Sequence, residues 1–564
     1  MNQGTESLDE HEGVQEGLRR RALTMESLES VLYTNGIVFT AAGRSWADAM
    51  LVVGERIAYV GDAQTARRVA GADTREVDLQ GRLVVPGFVD AHAHVLMTGQ
   101  SLMQLDLMTA DSLDEIQQRT ARWAADNADA PRLRLTAWKH SALPGGKPSK
   151  QMLDEIVSNK PVYAQAYDFH SMWLNSAALA ELGIDANTPQ VPGGEIHLDP
   201  VTGEPTGYID ETAMHRYVWP RLVAFETTSD HDEQRDVALE AYRSLGITGA
   251  TEMAMDENIL ESFMRAEAAG ALTTRLTAHW IVRMDPDPNV VRSRVERAIE
   301  LFRSHQSKLL RVVGIKCVID GTVDGCTAAL GTPYANGHVA DPIWTLDALA
   351  PVVELADEAG MQVAMHAIGD EAIRIAIEAV EAAVRANGPR VRRHRIEHLE
   401  VVNPEEIERL AALGITASMQ PVHADPKIQD NWRAMLGDSR IDRGFPWPEM
   451  TDAGATLAFG TDAPTAPLSP LRNMYVAATR RSTFDPELEA NVARYALPLA
   501  DAVRHATRDA AWACGSDGYT GELSAGLLAD FVVIDRNIFD RPVEELLEAR
   551  VVQTVLGGRT VFEA

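Results

Sequence analysis

The sequence predicts an α/β protein: a (β/α)8 barrel of the TIM type with a large insertion, plus a small β-sandwich built from both ends of the chain. Three observations carry this expectation. Short apolar runs in the middle of the chain each give way to a helical pattern, the two ends are rich in short β-branched stretches, and histidine, lysine and aspartate recur where the central runs stop.

From residue 29 the stretches VLYTNGIVFTA, AMLVVGERIAYVGDA and LQGRLVVPG are separated by Asn-Gly, Gly-Glu and Gly-Asp turn signals, so they read as strands. GELSAGLLADFVVIDRN and ARVVQTVLGGRTVFEA repeat the pattern at the other end. Residues 29–84 and 516–564 are therefore expected to share one composite sandwich domain. Between them, LVVPGFVDAHAH, AYRSLGITGATEM, LLRVVGIKCVIDG, GMQVAMHAIGD, RRHRIEHLE, LGITASMQPVHA and AGATLAFGTDAP alternate with helical segments, the signature of parallel βα units. No Gly-rich dinucleotide fingerprint opens the first unit, which favours a closed barrel over residues 85–515 rather than a doubly wound sheet. Residues from about 103 to 235 break the repeat with Trp, Pro and Gly clusters and read as an insertion covering the barrel mouth.

At 564 residues, 45% of them hydrophobic and 24% charged, the chain can bury an extensive core. A net charge of −30, from 82 acidic against 52 basic residues, repels phosphate backbones and anionic lipid, so neither nucleic acid nor membrane is expected as a partner. Cys317, Cys326 and Cys514 fit neither a disulfide framework nor a thiolate zinc site and suit a reducing cytoplasm. Residues 1–28 are polar and lack a signal-peptide core; they read as a disordered leader, with Met25 as an alternative start.

His92 and His94 are separated by one residue, so on an extended strand end both imidazoles project to the same side and can share a cation. Alone, this pair is equally compatible with two surface histidines. Lys316, His366, His398 and Asp462, however, each end a later apolar run in serial order, and barrel enzymes place reactive groups at the C-terminal ends of their strands. Imidazole nitrogen and carboxylate oxygen suit zinc, and also manganese, iron or nickel. A metal lowers the pKa of a water it binds to roughly 7. Asp462 then acts as general base and acid, and the reaction expected is hydrolysis of an amide-like bond in a small molecule.

The ordered motifs resemble the amidohydrolase superfamily, specifically its family-3 branch, which includes N-substituted formamide deformylases. The resemblance rests on PGFVDAHAH (86–94), DFHSMWLNSAAL (168–179), PTGYIDETA (205–213), GIKCVIDGTVDGCTAAL (314–330), HAIGDEA (366–372), RHRIEH (393–398), FGTDAPTAPLSPL (459–471) and GELSAGLLADFVVID (521–535). It implies His92, His94, His366, His398 and Asp462 as ligands, with one or two metals per chain and Lys316 open to N6-carboxylation as a bridging group. It also implies His170 as a residue that reaches substrate or oxyanion, with a structural role as its alternative, and makes Trp173 and Asp320 substrate-side candidates, with loop support as theirs. Trp138, Tyr167, Phe169, Trp432 and Trp447 are open both to lining an apolar pocket and to core packing. Two other functions compete: decarboxylation, deamination or isomerisation on the same metal barrel, and a non-catalytic scaffold, against which retention of all the ligand positions argues. A homodimer is the default expectation for a soluble enzyme of this kind.

Overall fold

The structure, a computed structural model, describes residues 29–564 except Arg44 and Asp430; the proposed leader, residues 1–28, lies outside the described residues. Its centre is an eight-stranded parallel sheet in the order β1 (Phe88–Ala93), β2 (Ile247–Met255), β3 (Arg275–Ile281), β4 (Leu310–Val318), β5 (Gln362–Ala367), β6 (Arg395–His398), β7 (Thr416–Met419) and β8 (Leu457–Phe459). Helices connect the strands and bury one apolar stripe each against the sheet, as in Asp370–Asn387, where Ile373, Ile377 and Val380 face inward. This is the TIM-type barrel expected from the sequence. The run missing from the sequence reading is β3: Leu276, Ala278 and Trp280 pack outward while Thr277 and His279 occupy the intervening positions, so RLTAHWI alternates instead of forming an apolar run.

Closure between β1 and β8 relies on few backbone contacts. The Asp462 amide donates to His92 O (2.8 Å) and the His94 amide to Ala463 O (3.0 Å). Buried Asp90 adds a side-chain latch, accepting from the Thr461 amide at 2.8 Å and from Thr461 Oγ1 at 2.5 Å. Gly460 is required at this seam, because a Cβ there would lie 2.3 Å from the His92 nitrogen.

Strand Leu83–Pro86 leads directly into β1 and pairs antiparallel with Phe531–Ile534, so a single sheet joins the N- and C-terminal segments. A second sheet containing Ser30–Thr34 and Ala49–Val53 packs across it around Val31, Met50, Val84, Phe531 and Val555. Arg275, at the start of β3, fastens sandwich to barrel through a two-pronged pair with Asp530 (2.7 and 3.0 Å). Asp530 also accepts from Thr520 Oγ1 (3.0 Å) and the Gly557 amide (2.6 Å).

Between helix Val95–Leu102, which follows β1, and helix Thr228–Ser244, which precedes β2, the chain forms a separate six-stranded mixed sheet. Its cores centre on Trp138 and Trp173 on one face and on Met172, Leu174 and Ile209 on the other. No helix among the described residues is long and apolar enough to cross a membrane.

Replacing Asp530 with Ala strands the Arg275 guanidinium and two further donors. Unfolding monitored by denaturant titration should show a loss of roughly 3–5 kcal/mol, whereas a change within error would show that the clasp is not stabilising.

Candidate metal centre

The sequence-predicted residues converge at the C-terminal mouth of the barrel. His92 ends β1, and His94 stands at the N-terminus of the following helix; Lys316 lies in β4, His366 in β5 and His398 at the end of β6. Asp462 follows β8 with φ 56°, and His398 has φ 76°, both in the left-handed region that costs a non-glycine residue about 1–3 kcal/mol. The closure contacts hold Asp462 in that conformation. Its carbonyl also accepts from the amide (2.9 Å) and hydroxyl (2.7 Å) of Thr465.

Donor atoms of His92, His398 and Asp462 lie within 4.8 Å of one another, all buried, a grouping that could hold a metal ion. His92 Nε2 and His94 Nε2 each stand 3.2 Å from the same oxygen, Asp462 Oδ1. That oxygen has no hydrogen-bond partner despite burial. The Nδ1 of His92 faces Glu397 Oε2 at 2.7 Å, which fixes the proton on Nδ1 and leaves a lone pair on Nε2. Burial, followed by the Lys316 charge, holds His92 and His366 below the usual imidazole range; burial and the neighbouring His366 do the same for His398. Burial would raise the Asp462 carboxyl, but the imidazoles of His92, His94 and His398 hold it well below the usual carboxylate range. With its proton held on Nδ1, His92 turns an Nε2 lone pair towards a carboxylate oxygen, an arrangement that is repulsive in a dry site and is relieved by a cation between them. The donor set fits a divalent metal.

His366 sits against His398, with ring centroids 4.4 Å apart, and its Nε2 lies 3.2 Å from Gly321 O and 3.5 Å from Asp320 Oδ1. Lys316 is buried, which lowers its amine to about 8. His170 enters from the insertion, its ring 5.8 Å from that of His366. Antiparallel pairing of Ser171 with Asp210 brings the residues flanking those strands together, so His170 Nδ1 meets Glu211 Oε2 at 2.9 Å. Burial would lower the His170 imidazole, but Glu211, with Asp168 and Asp320, raises it to about 9.

The two substrate-side candidates are held by structural contacts, Trp173 in the insertion core and Asp320 beside His366. Trp173 is fully buried in the insertion core, against Trp138, with Nε1 donating to Ser149 O at 2.8 Å. Asp320 accepts from the amides of Ala329, Ile368 and Gly369 at 2.8–3.0 Å, so its oxygens organise the loops after β4 and β5. Trp432 and Trp447 are likewise core residues, the latter beneath the Arg480 guanidinium.

Four residues that the sequence reading passed over complete the centre. Glu397 is fully buried and pairs with Arg395 through Nε (2.6 Å) and Nη2 (3.0 Å); Arg395 also donates to Ala91 O (2.7 Å), linking β6 to β1. Glu252, from β2, accepts from the amides of Val95 (2.7 Å) and Leu96 (3.4 Å), anchoring the helix that begins at His94. Gln420 Oε1 lies 2.7 Å from His398 Nδ1. His423, four residues beyond β7, stacks on His398 at 5.7 Å, with Nε2 3.6 Å from Asp462 Oδ2 and Nδ1 3.2 Å from Glu400. The signals available were positional: β2 and β7 were recognised as strands with no functional residue assigned, and Glu397 shares a strand face with Arg395.

A barrel with a buried imidazole–carboxylate cluster at its C-terminal mouth defines a class of metal-site α/β barrels. Within that class the chain belongs to the amidohydrolase family, whose model matches residues 75–562. It is 29% identical to the N-substituted formamide deformylase of Arthrobacter pascens, over 96% of this chain and 99% of that protein. It is also 28% identical to the protein LONG AFTER FAR-RED 3 of Arabidopsis thaliana, over 94% of this chain and 91% of that one. A metal-dependent hydrolase from Pyrococcus furiosus superposes with a TM-score of 0.70 at 25% identity, covering 91% of this chain and all of its own.

Glu397→Gln keeps the shape of the side chain but removes the charge that orients His92. Divalent-metal affinity, measured by competition with a chelator, should fall about 10–100-fold; unchanged affinity in a folded variant would remove Glu397 from the centre.

Proposed function

We propose that the chain hydrolyses non-peptide carbon–nitrogen bonds of small molecules, of the amide, N-formyl or N-acyl type, at a divalent-metal site. The observation that carries this reading is the unpartnered Asp462 Oδ1 facing the Nε2 atoms of His92 and His94. Similarity to a relative named as a formamide deformylase over nearly the whole of both chains supports it.

His92, His94, His366, His398 and Asp462 would hold the cation, and zinc suits their nitrogen and oxygen donors best. When bound, the metal supplies Lewis acidity and a water acidic enough to ionise near neutral pH. Asp462 accepts the proton of the attacking water through its carboxylate and returns it to the leaving nitrogen. Its fixed backbone keeps the carboxylate aimed at the imidazoles throughout. His170, held by Glu211, donates from its free nitrogen to the carbonyl oxygen as charge develops there. The substituent pattern of the substrate is set by the insertion, which contributes His170 and the wall beside it.

Lys316 has a second role in this proposal. Burial that lowers its amine to about 8 leaves a neutral fraction at neutral pH, the form that takes up carbon dioxide. The resulting N6-carboxylate would be an anion among the imidazoles and a ligand for a second cation.

Purified protein reconstituted with zinc, with and without bicarbonate, should release amine plus acid from a panel of N-formyl and N-acyl amines, faster with bicarbonate. His92→Ala and Asp462→Asn should each abolish turnover, a loss of 10³-fold or more on the order seen for essential catalytic groups, with circular dichroism unchanged. Near-full activity in either variant, or carbon dioxide or a rearranged product in place of amine and acid, would sink the assignment. Equal rates with and without bicarbonate would remove the carbamate.

A further inference from the structure

The two carboxylate oxygens of Asp462 face different imidazoles. Oδ1 lies against His92 and His94, whereas Oδ2 stands 3.6 Å from His423 Nε2 and 4.0 Å from His398 Nδ1. This second pair of rings has a carboxylate of its own. Glu400, buried two residues beyond His398, brings Oε1 to 3.2 Å from His423 Nδ1. One donor atom from each of His398, Glu400 and His423 lies within 4.8 Å of the others, a grouping that could hold a metal ion and that includes neither His92 nor Asp462.

Hydrogen bonding sets the proton of His423. The Thr465 hydroxyl donates its one hydrogen to Asp462 O (2.7 Å), so towards His423 Nε2, 3.2 Å away, its oxygen can only accept. The ring proton therefore belongs on Nε2, and a neutral His423 turns an Nδ1 lone pair towards the Glu400 carboxylate. A metal-bound histidine is oriented in this way, with its other nitrogen donating to an oxygen outside the site. Distance agrees: ligand atoms about 2 Å from one tetrahedral ion stand roughly 3.3 Å apart, whereas a charge-assisted hydrogen bond shortens to about 2.7–2.9 Å. The charges that act most strongly on His423 are the carboxylates of Glu400, Asp462 and Asp324, a surrounding that attracts a cation.

We propose that His398, Glu400 and His423 form a further cation position, which takes a divalent ion such as zinc and does not depend on carboxylation of Lys316. The inference rests on the metal-site reading above, not on the reaction assigned to it. His398 ties the two positions together, because it belongs to both groupings. Gln420 Oε1, 2.7 Å from His398 Nδ1, holds a proton there and leaves Nε2 as the one lone pair of that ring. An ion entering beside Glu400 therefore competes with the first for His398 and binds more weakly than it does. His423 is the partly exposed member of the group, which gives the ion its way in.

Zinc titration of the full-length, metal-stripped protein against a chromophoric chelator tests this, in bicarbonate-free buffer so that Lys316 stays an amine. The wild type should take up one ion tightly and a second more weakly. Glu400→Gln and His423→Gln should each weaken the second ion about 10–100-fold and leave the first in place. If Glu400→Gln, a change at a buried side chain, fails to fold, His423→Gln decides. Uptake of a single ion by the wild type would show Glu400 and His423 to be a plain hydrogen-bonded pair and overturn the proposal, as would a second ion held equally well by the folded variants. Uptake is read without turnover. The predicted two-step pattern without hydrolysis of any N-formyl or N-acyl amine would keep the further position and reject the hydrolase reading, whereas no zinc uptake at all would remove both positions.

Discussion

At the barrel mouth the Nε2 lone pair of His92 faces a buried carboxylate oxygen of Asp462 that has no hydrogen-bond partner, a juxtaposition that a cation between them would relieve. That constraint orders the rest of the structure. Glu397 fixes the proton of His92 on Nδ1, turning Nε2 into a lone-pair donor. Arg395 keeps Glu397 ionised although burial opposes it, and its contact with Ala91 ties the strand carrying this support to the strand carrying His92. Removing either charge would leave the other buried and unpaired, which is strongly destabilising.

The barrel and its attachments serve the same geometry. The seam between β1 and β8 is closed by residues of the candidate metal centre, since the backbone of Asp462 bonds to that of His92 and Asp90 latches Thr461. Left-handed backbone at His398 and Asp462 is tolerated because those contacts over-determine it. The sandwich anchors the start of β1 from below, while the insertion sheet delivers His170 and Glu211 from above through a strand register that has no counterpart in the barrel repeat.

Much of this was legible in the sequence because barrel strands repeat a simple pattern and end on their reactive residues. Apolar runs located seven of the eight strands, and the His-x-His spacing with the serial order of Lys316, His366, His398 and Asp462 marked the mouth. β3 escaped because Thr277 and His279, on its other face, interrupt the apolar run. Glu252 escaped because its partners, the Val95 and Leu96 amides, are brought to it only when the barrel forms, and Glu397 because its contact with His92 reaches across from β6 to β1, although its pairing with Arg395 two residues away was visible. His423 followed a recognised run and was readable by position alone. Trp173 and Asp320 stayed open between substrate contact and loop support, because a tryptophan or aspartate beside a motif looks the same in sequence whether it faces a substrate, a core or three backbone amides.

X-ray absorption at the zinc edge, on protein stripped of metal and reloaded with zinc, tests the central claim most directly. The account predicts a first shell of nitrogen and oxygen with the multiple-scattering pattern of imidazole, and loss of part of that pattern in His92→Ala. A shell of water alone, or of sulfur from Cys317 or Cys326, would contradict it.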